Sequence, residues 1–179
     1  RPDIETVVDA IANSFVGVTG RYAQLCCSDL KMFASLCDIR NVRVIKRIMD
    51  DFVSVAKRVN DQALIKKIVH TLMFRLAPIV AELAAGRLKA SDKESISELE
   101  NIQVQRYAAE CKRLFPETSS QEMKEEKFPV KKSYAQEFME RYDGKLPIPW
   151  AYDRCIVEYE IGGELNDELL KKTVQGWLP

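Results

Sequence analysis

Arg40, Asn41, Arg43, Lys46 and Arg47 fall in one short run, Arg40-Asn-Val-Arg-Val-Ile-Lys-Arg47, in which basic residues alternate with apolar ones. Residues three and four apart share one side of a helix, so Arg40, Arg43 and Arg47 can present a joint cationic surface that meets phosphate. Asn41 is a good N-cap, and Val42, Ile45, Ile48, Met49, Phe52 and Val53 follow it at helical spacing. Arg43 then occupies the second helical position. A cation there opposes the helix macrodipole, at a cost of a few tenths of a kcal/mol up to ~1 kcal/mol, and is better placed if an anion comes near.

Other residue types offer less chemistry. The single histidine, His70, lies between Val69 and Leu72 in an apolar helical pattern, with no Asp or Ser at a telling spacing, and reads as a packed or solvent-edge side chain. The five cysteines, Cys26, Cys27, Cys37, Cys111 and Cys155, form no CxxC pair and have no histidine beside them. They read as reduced thiols, and the chain offers no metal site. Glu158 and Glu160 are two apart and face different sides of a helix, so they do not make an acid and base pair. There is no GxxxxGK[ST] loop, HExxH, GxSxG or EF-hand pattern. The chain therefore holds no catalytic set of its own.

Length and charge narrow the class. The 179 residues suffice for a sizeable core, and 27 basic against 27 acidic side chains give no net charge. That balance argues against nucleic acid or an anionic membrane as the main partner. No apolar run approaches the ~20 residues of a spanning helix, and the N-terminus lacks the order of a signal peptide. A soluble, cytoplasmic protein is the expectation. Because the chain begins Arg-Pro and not Met, it reads as a piece of a longer protein or a processed product.

The elements that would hold the basic run are helical throughout. Asp3 opens a helix carrying Ile4, Val7, Val8, Ile11, Phe15 and Val16, which Gly17 and Gly20 are expected to end. Arg21 to Cys27 adds a turn or two, and Ser28-Asp29 opens a short helix to Cys37. The helix that Asn41 caps runs to about Val59. Asp61 caps the longest one, whose stripe from Leu64 to Leu83 is interrupted by Pro78, where a kink is expected, and Gly86 closes it.

Ser91-Asp-Lys-Glu94 has the form of a capping box before a helix to about Leu114. The charged run from Pro116 to Val130 reads as a mobile linker. Ser133-Tyr-Ala-Gln136 is a second capping box, for a helix ended by Asp143-Gly144. Pro149 is placed to start a helix through Tyr159, with a short strand near Cys155 to Ile161 as the other option. Asn166 caps the last helix. The class is all-α: a small N-terminal bundle over 1–60, a long kinked helix and the next helix over 61–114, a linker over 115–131, and short helices over 132–179.

With these residues in view, Asn41-Val-Arg43-Val-Ile-Lys-Arg47-Ile, preceded by the amphipathic segment Leu30 to Leu36, resembles the sensor-2 region in the helical lid of AAA+ type P-loop NTPases. It is closer still to the Asn-x-Arg-x-x-Lys-Arg run of the KAP family. The glycine frequent in AAA+ lids is Arg40 here. The likeness covers about residues 4 to 60. It implies that Arg43 opens a lid helix and reaches the terminal phosphates of ATP bound with Mg2+ by an upstream P-loop core, with Asn41 placing it. Arg40, Lys46 and Arg47 are then further contacts for phosphate or a partner. It also implies a fragment of an ATPase that assembles as a homo-oligomer.

Two other readings compete. In one the chain is an all-α protein–protein interaction module without a nucleotide role, its Asp61 to Ala85 stripe packing a partner helix; solvent exposure of Leu64, Ile68, Leu72 and Leu76 would favour it. In the other, Arg40, Arg43, Lys46 and Arg47 bind nucleic acid, which the zero net charge disfavours.

Overall fold

The computed structural model describes residues 3–102, 104, 106, 111, 114 and 132–178. Among them the regular structure is eight α-helices and no strand, the all-α class expected. In chain order they are α1 (Ile4–Asn13), α2 (Gly17–Leu36), α3 (Val42–Val59), α4 (Gln62–Ala84), α5 (Lys93–Glu100), α6 (Tyr134–Tyr142), α7 (Arg154–Gly162) and α8 (Asp167–Gly176).

Most helices begin where a short polar side chain can take up an orphan N–H. Asp61 accepts from the Leu64 N–H at 2.9 Å and Asn166 from that of Leu169 at 3.0 Å. Ser133 and Gln136 bond each other's backbone reciprocally in a capping box. α3 is strongly amphipathic: Ile45, Ile48, Met49, Phe52, Val53, Val55 and Ala56 are buried, while its cations face out. α4 is buried nearly all round from Leu72 to Glu82, as a central helix must be. It packs on α2 and α3 and also carries α7, while α5 lies against α6 and α8 touches α3 and α7. Pro78 is buried within α4, and the helix runs unbroken from Gln62 to Ala84.

Expectations about boundaries are corrected at α2, α5 and α7. Gly17 and Gly20 do not end a helix but begin α2, which continues through Ser28-Asp29 without a break to Leu36. Gly17 takes φ +62, which lets the chain turn from α1 into α2, and a Cβ on Gly20 would lie 2.8 Å from the Phe15 carbonyl oxygen. Both glycines serve the sharp entry to α2. The capping box at Ser91 is not used; Asp92 caps α5 instead, accepting from the Ser95 N–H at 3.1 Å and its hydroxyl at 2.8 Å.

Likewise Pro149 does not open a helix, and no strand forms at Cys155 to Ile161. Trp150 is buried with its indole N–H donating to the Arg75 carbonyl at 3.0 Å, and this anchors the preceding segment to α4. Asp153 then caps α7, whose Cys155, Ile156, Val157 and Glu160 are buried at helical spacing. The linker assigned to Pro116–Val130 and most of the extension of the fifth helix toward Leu114 lie outside the described residues.

Candidate functional site at the start of α3

The cationic run sits where the sequence places it, at the exposed entry to α3. Asn41 Oδ1 accepts the Arg43 N–H at 3.0 Å, and the Asn41 carbonyl accepts those of Val44 and Ile45 at 3.0 and 3.1 Å. Only the Val42 N–H of this turn is left open among the described residues, so the helix end is a modest anion cradle and any anion site here rests on the guanidinium. The cap costs nothing in access: Asn41, Val42 and Arg43 are all exposed.

The four cations then divide. Arg40 Nε donates to Asp38 Oδ1 at 2.6 Å. Lys46 Nζ holds both oxygens of Asp50, at 2.9 and 2.7 Å. Arg47 lies 3.5 Å from Asp51 and 3.8 Å from Glu160. Arg43 has no carboxylate partner among the described residues. Arg43 is thus the one cation of the run, among the described residues, left for an incoming anion, whereas Arg40, Lys46 and Arg47 are already matched within the chain. Exposed pairs of this kind contribute only ~0–1 kcal/mol each, but they remove the uniform basic surface that nucleic-acid binding requires.

Three polar arrangements join residues far apart in sequence. Glu82 of α4, fully buried, accepts hydrogen bonds from Arg87, Arg141, Tyr134 and Tyr142. Burial alone would push its carboxyl up, but those bonds and the Arg141 charge outweigh burial and hold it below the usual range. His70 Nδ1 lies 3.0 Å from Asp29 Oδ1, with its ring edge-on to Phe74. It therefore has an acidic partner, brought by the packing of α2 on α4.

The third arrangement is Asp51 of α3 with Glu160 of α7. Burial pushes both carboxyls up, and the Asp51 charge adds to it at Glu160, which rises to about 8. Glu160 and Glu158 do diverge, as their spacing requires: Glu158 bonds Arg154 at the surface at 2.7 Å while Glu160 turns inward.

All five cysteines are free thiols, and burial raises those of Cys26, Cys27, Cys37 and Cys155. These four are poor nucleophiles near neutral pH. Among the described residues no group of three or more His, Cys, Asp or Glu side chains is disposed to hold a metal ion. A cavity of about 620 Å³ is lined by Ile96, Tyr152, Val157, Glu158, Ile161 and Leu165 among others, none of them from the cationic run.

No family model, no curated protein and no solved structure matches the chain. No helix among the described residues is long and apolar enough to cross a membrane.

Proposed function

We propose that this chain is the helical lid and accessory part of a P-loop ATPase of the KAP or AAA+ type, with Arg43 directed at the phosphates of ATP held with Mg2+ by an upstream core. The supporting observation is the division of charge at α3: among the described residues Arg43 is exposed, capped into place by Asn41 and without a carboxylate, beside three cations that each have one. A guanidinium is a rigid planar donor that stays charged, which suits a phosphoryl group whose charge grows during transfer. In this chain alone the cation at the second helical position opposes the dipole uncompensated, and a phosphate would remove that conflict. The core also supplies the chemistry, since these residues contain no catalytic set. Homo-oligomeric assembly belongs to the same reading.

The interaction-module reading loses the surface on which it relied. Ile68, Leu72 and Leu76 are fully buried and Leu64 is half-buried, so the α4 stripe packs the protein's own core.

The test is nucleotide affinity of the protein carrying both the core and this chain, wild type against Arg43→Ala. Weaker ATP binding in the variant supports the reading. Equal affinity together with equal turnover, or the absence of any phosphate loop upstream, contradicts it.

A further inference from the structure

Glu160 is the most enclosed carboxyl of α7, with a side chain only 1% exposed, and its close side-chain neighbour is Asp51, 20% exposed, with both carboxylates within 3.8 Å of Arg47. Arg47 stands over both but at 3.5 and 3.8 Å, and its own side chain is 45% exposed. Asp51 Oδ2 and Glu160 Oε1 are buried without a hydrogen-bond partner among the described residues. Two ionised carboxylates cannot bond each other, since neither donates. With Arg47 they would also leave one uncompensated negative charge in a desolvated place. One added proton removes both defects: it gives a donor to the pair and brings the cluster to neutrality.

The charged and titratable groups that face the pair are Arg47 and Asp50 on α3 and Tyr159 on α7. Asp50 is held by Lys46 at the surface, and Tyr159 is an uncharged phenol raised above its usual range by burial. Neither supplies the missing positive charge.

We propose that Asp51 and Glu160 share one proton and form a pH-operated latch between α3 and α7, closed while the proton is held and weakened when it passes to solvent. α7 otherwise rests on α4 and α8, so this pair is a direct side-chain tie to the helix that carries Arg43. The pair titrates as a unit, and Glu160, the more enclosed member, keeps the proton. The sign follows from proton counts. Between the ordinary Glu range and about 8 the folded state holds a proton that the unfolded chain has released, so stability falls as pH rises through that window.

The experiment is the melting temperature of the chain from about pH 5 to about pH 9, for wild type, Glu160→Gln and Asp51→Asn. The side-chain amide that Glu160→Gln introduces donates to Asp51 permanently and mimics the protonated state. Wild type should lose melting temperature across the window, Glu160→Gln should stay flat, and the two curves should meet at the acid end and separate at the alkaline end. Asp51→Asn should likewise flatten the profile, because it removes one of the two charges. Parallel curves for wild type and Glu160→Gln would overturn the latch. Should the variant fail to fold, carboxyl carbon NMR of the wild type decides: the latch requires one Glu carboxyl titrating near 8, and it falls if every carboxyl titrates in the ordinary range. Hydrogen exchange separates a latch from a general loss of stability. The α7 amides should lose protection relative to those of α1 as the proton leaves, and uniform loss counts against the proposal.

Discussion

Glu82 on α4 accepts two hydrogen bonds from the Arg141 guanidinium on α6, at 3.1 and 2.9 Å, across 59 residues of chain. The same carboxylate takes Arg87, Tyr134 and Tyr142, so one buried charge ties the end of α4 to α6 and to the turn that follows α4. Removing one partner of a buried pair leaves the others desolvated and unmatched, which costs about 3–5 kcal/mol. Glu82→Ala should therefore lower unfolding free energy by that order in urea denaturation. Glu82→Gln, which keeps the shape and an acceptor, should cost less; a neutral Glu82→Ala would mean the hub does not hold α6.

Glu82 and Glu160 bend the pH dependence of stability in opposite directions. The Glu82 carboxyl is lowered in the fold, so its contribution is present above the ordinary Glu value and is lost as pH falls below it. The Glu160 carboxyl is raised, so its contribution is present below the ordinary value and is lost as pH rises to about 8. From these two groups, stability peaks near the ordinary Glu value, about 4.3. Urea midpoints across pH should show Glu82→Gln flattening the acid limb and Glu160→Gln the alkaline limb. The same limb flattened by both would contradict the assignment.

The entry to α2 yields a steric prediction. A methyl on Gly20 would meet the Phe15 backbone at 2.8 Å, whereas one on Gly176 meets nothing within 4 Å. Gly20→Ala should destabilise by ~1–3 kcal/mol, and Gly176→Ala should be neutral or slightly stabilising. Thermal melts of the two variants check this directly.

The helix starts were the most legible part of the sequence, because a cap is a local event. Asn41, Asp61, Ser133 and Asn166 each sit beside the N–H they satisfy. Glycines were harder to read: Gly17 and Gly20 carry the same residue type whether a helix stops or starts, and only the approach of Phe15 decides. Asp92 prevailed as a cap over Ser91 through its bonds to Ser95, and the helix expected to start at Pro149 starts instead after Asp153, beyond the Trp150 anchor. In the site, Arg43 and its cap were readable, while the carboxylates that occupy Lys46 and Arg47 were partly local, at i+4, and partly remote. Asp51 with Glu160, Glu82 with Arg141 and Asp29 with His70 come together only through helix packing, and no spacing in the chain announces them.

Asn41 and Arg43 differ in what they should do to the fold. Asn41→Ala removes the cap on the Arg43 N–H and should cost ~1 kcal/mol of stability. Arg43→Ala removes an exposed cation from the positive end of α3 and should leave stability within ~0.5 kcal/mol of wild type. Chemical denaturation of the pair distinguishes a capping residue from one retained for another purpose. Equal losses would assign Arg43 to the fold.

The central claim, that Arg43 serves the phosphates of a nucleotide, is tested most directly by steady-state ATP turnover of the protein carrying the upstream core, wild type against Arg43→Ala. A charge-assisted contact to a transferring phosphoryl group contributes ~2–4 kcal/mol at the transition state, so a loss of roughly thirtyfold to a thousandfold is expected in a variant that folds as well as wild type. Full turnover by well-folded Arg43→Ala would contradict it.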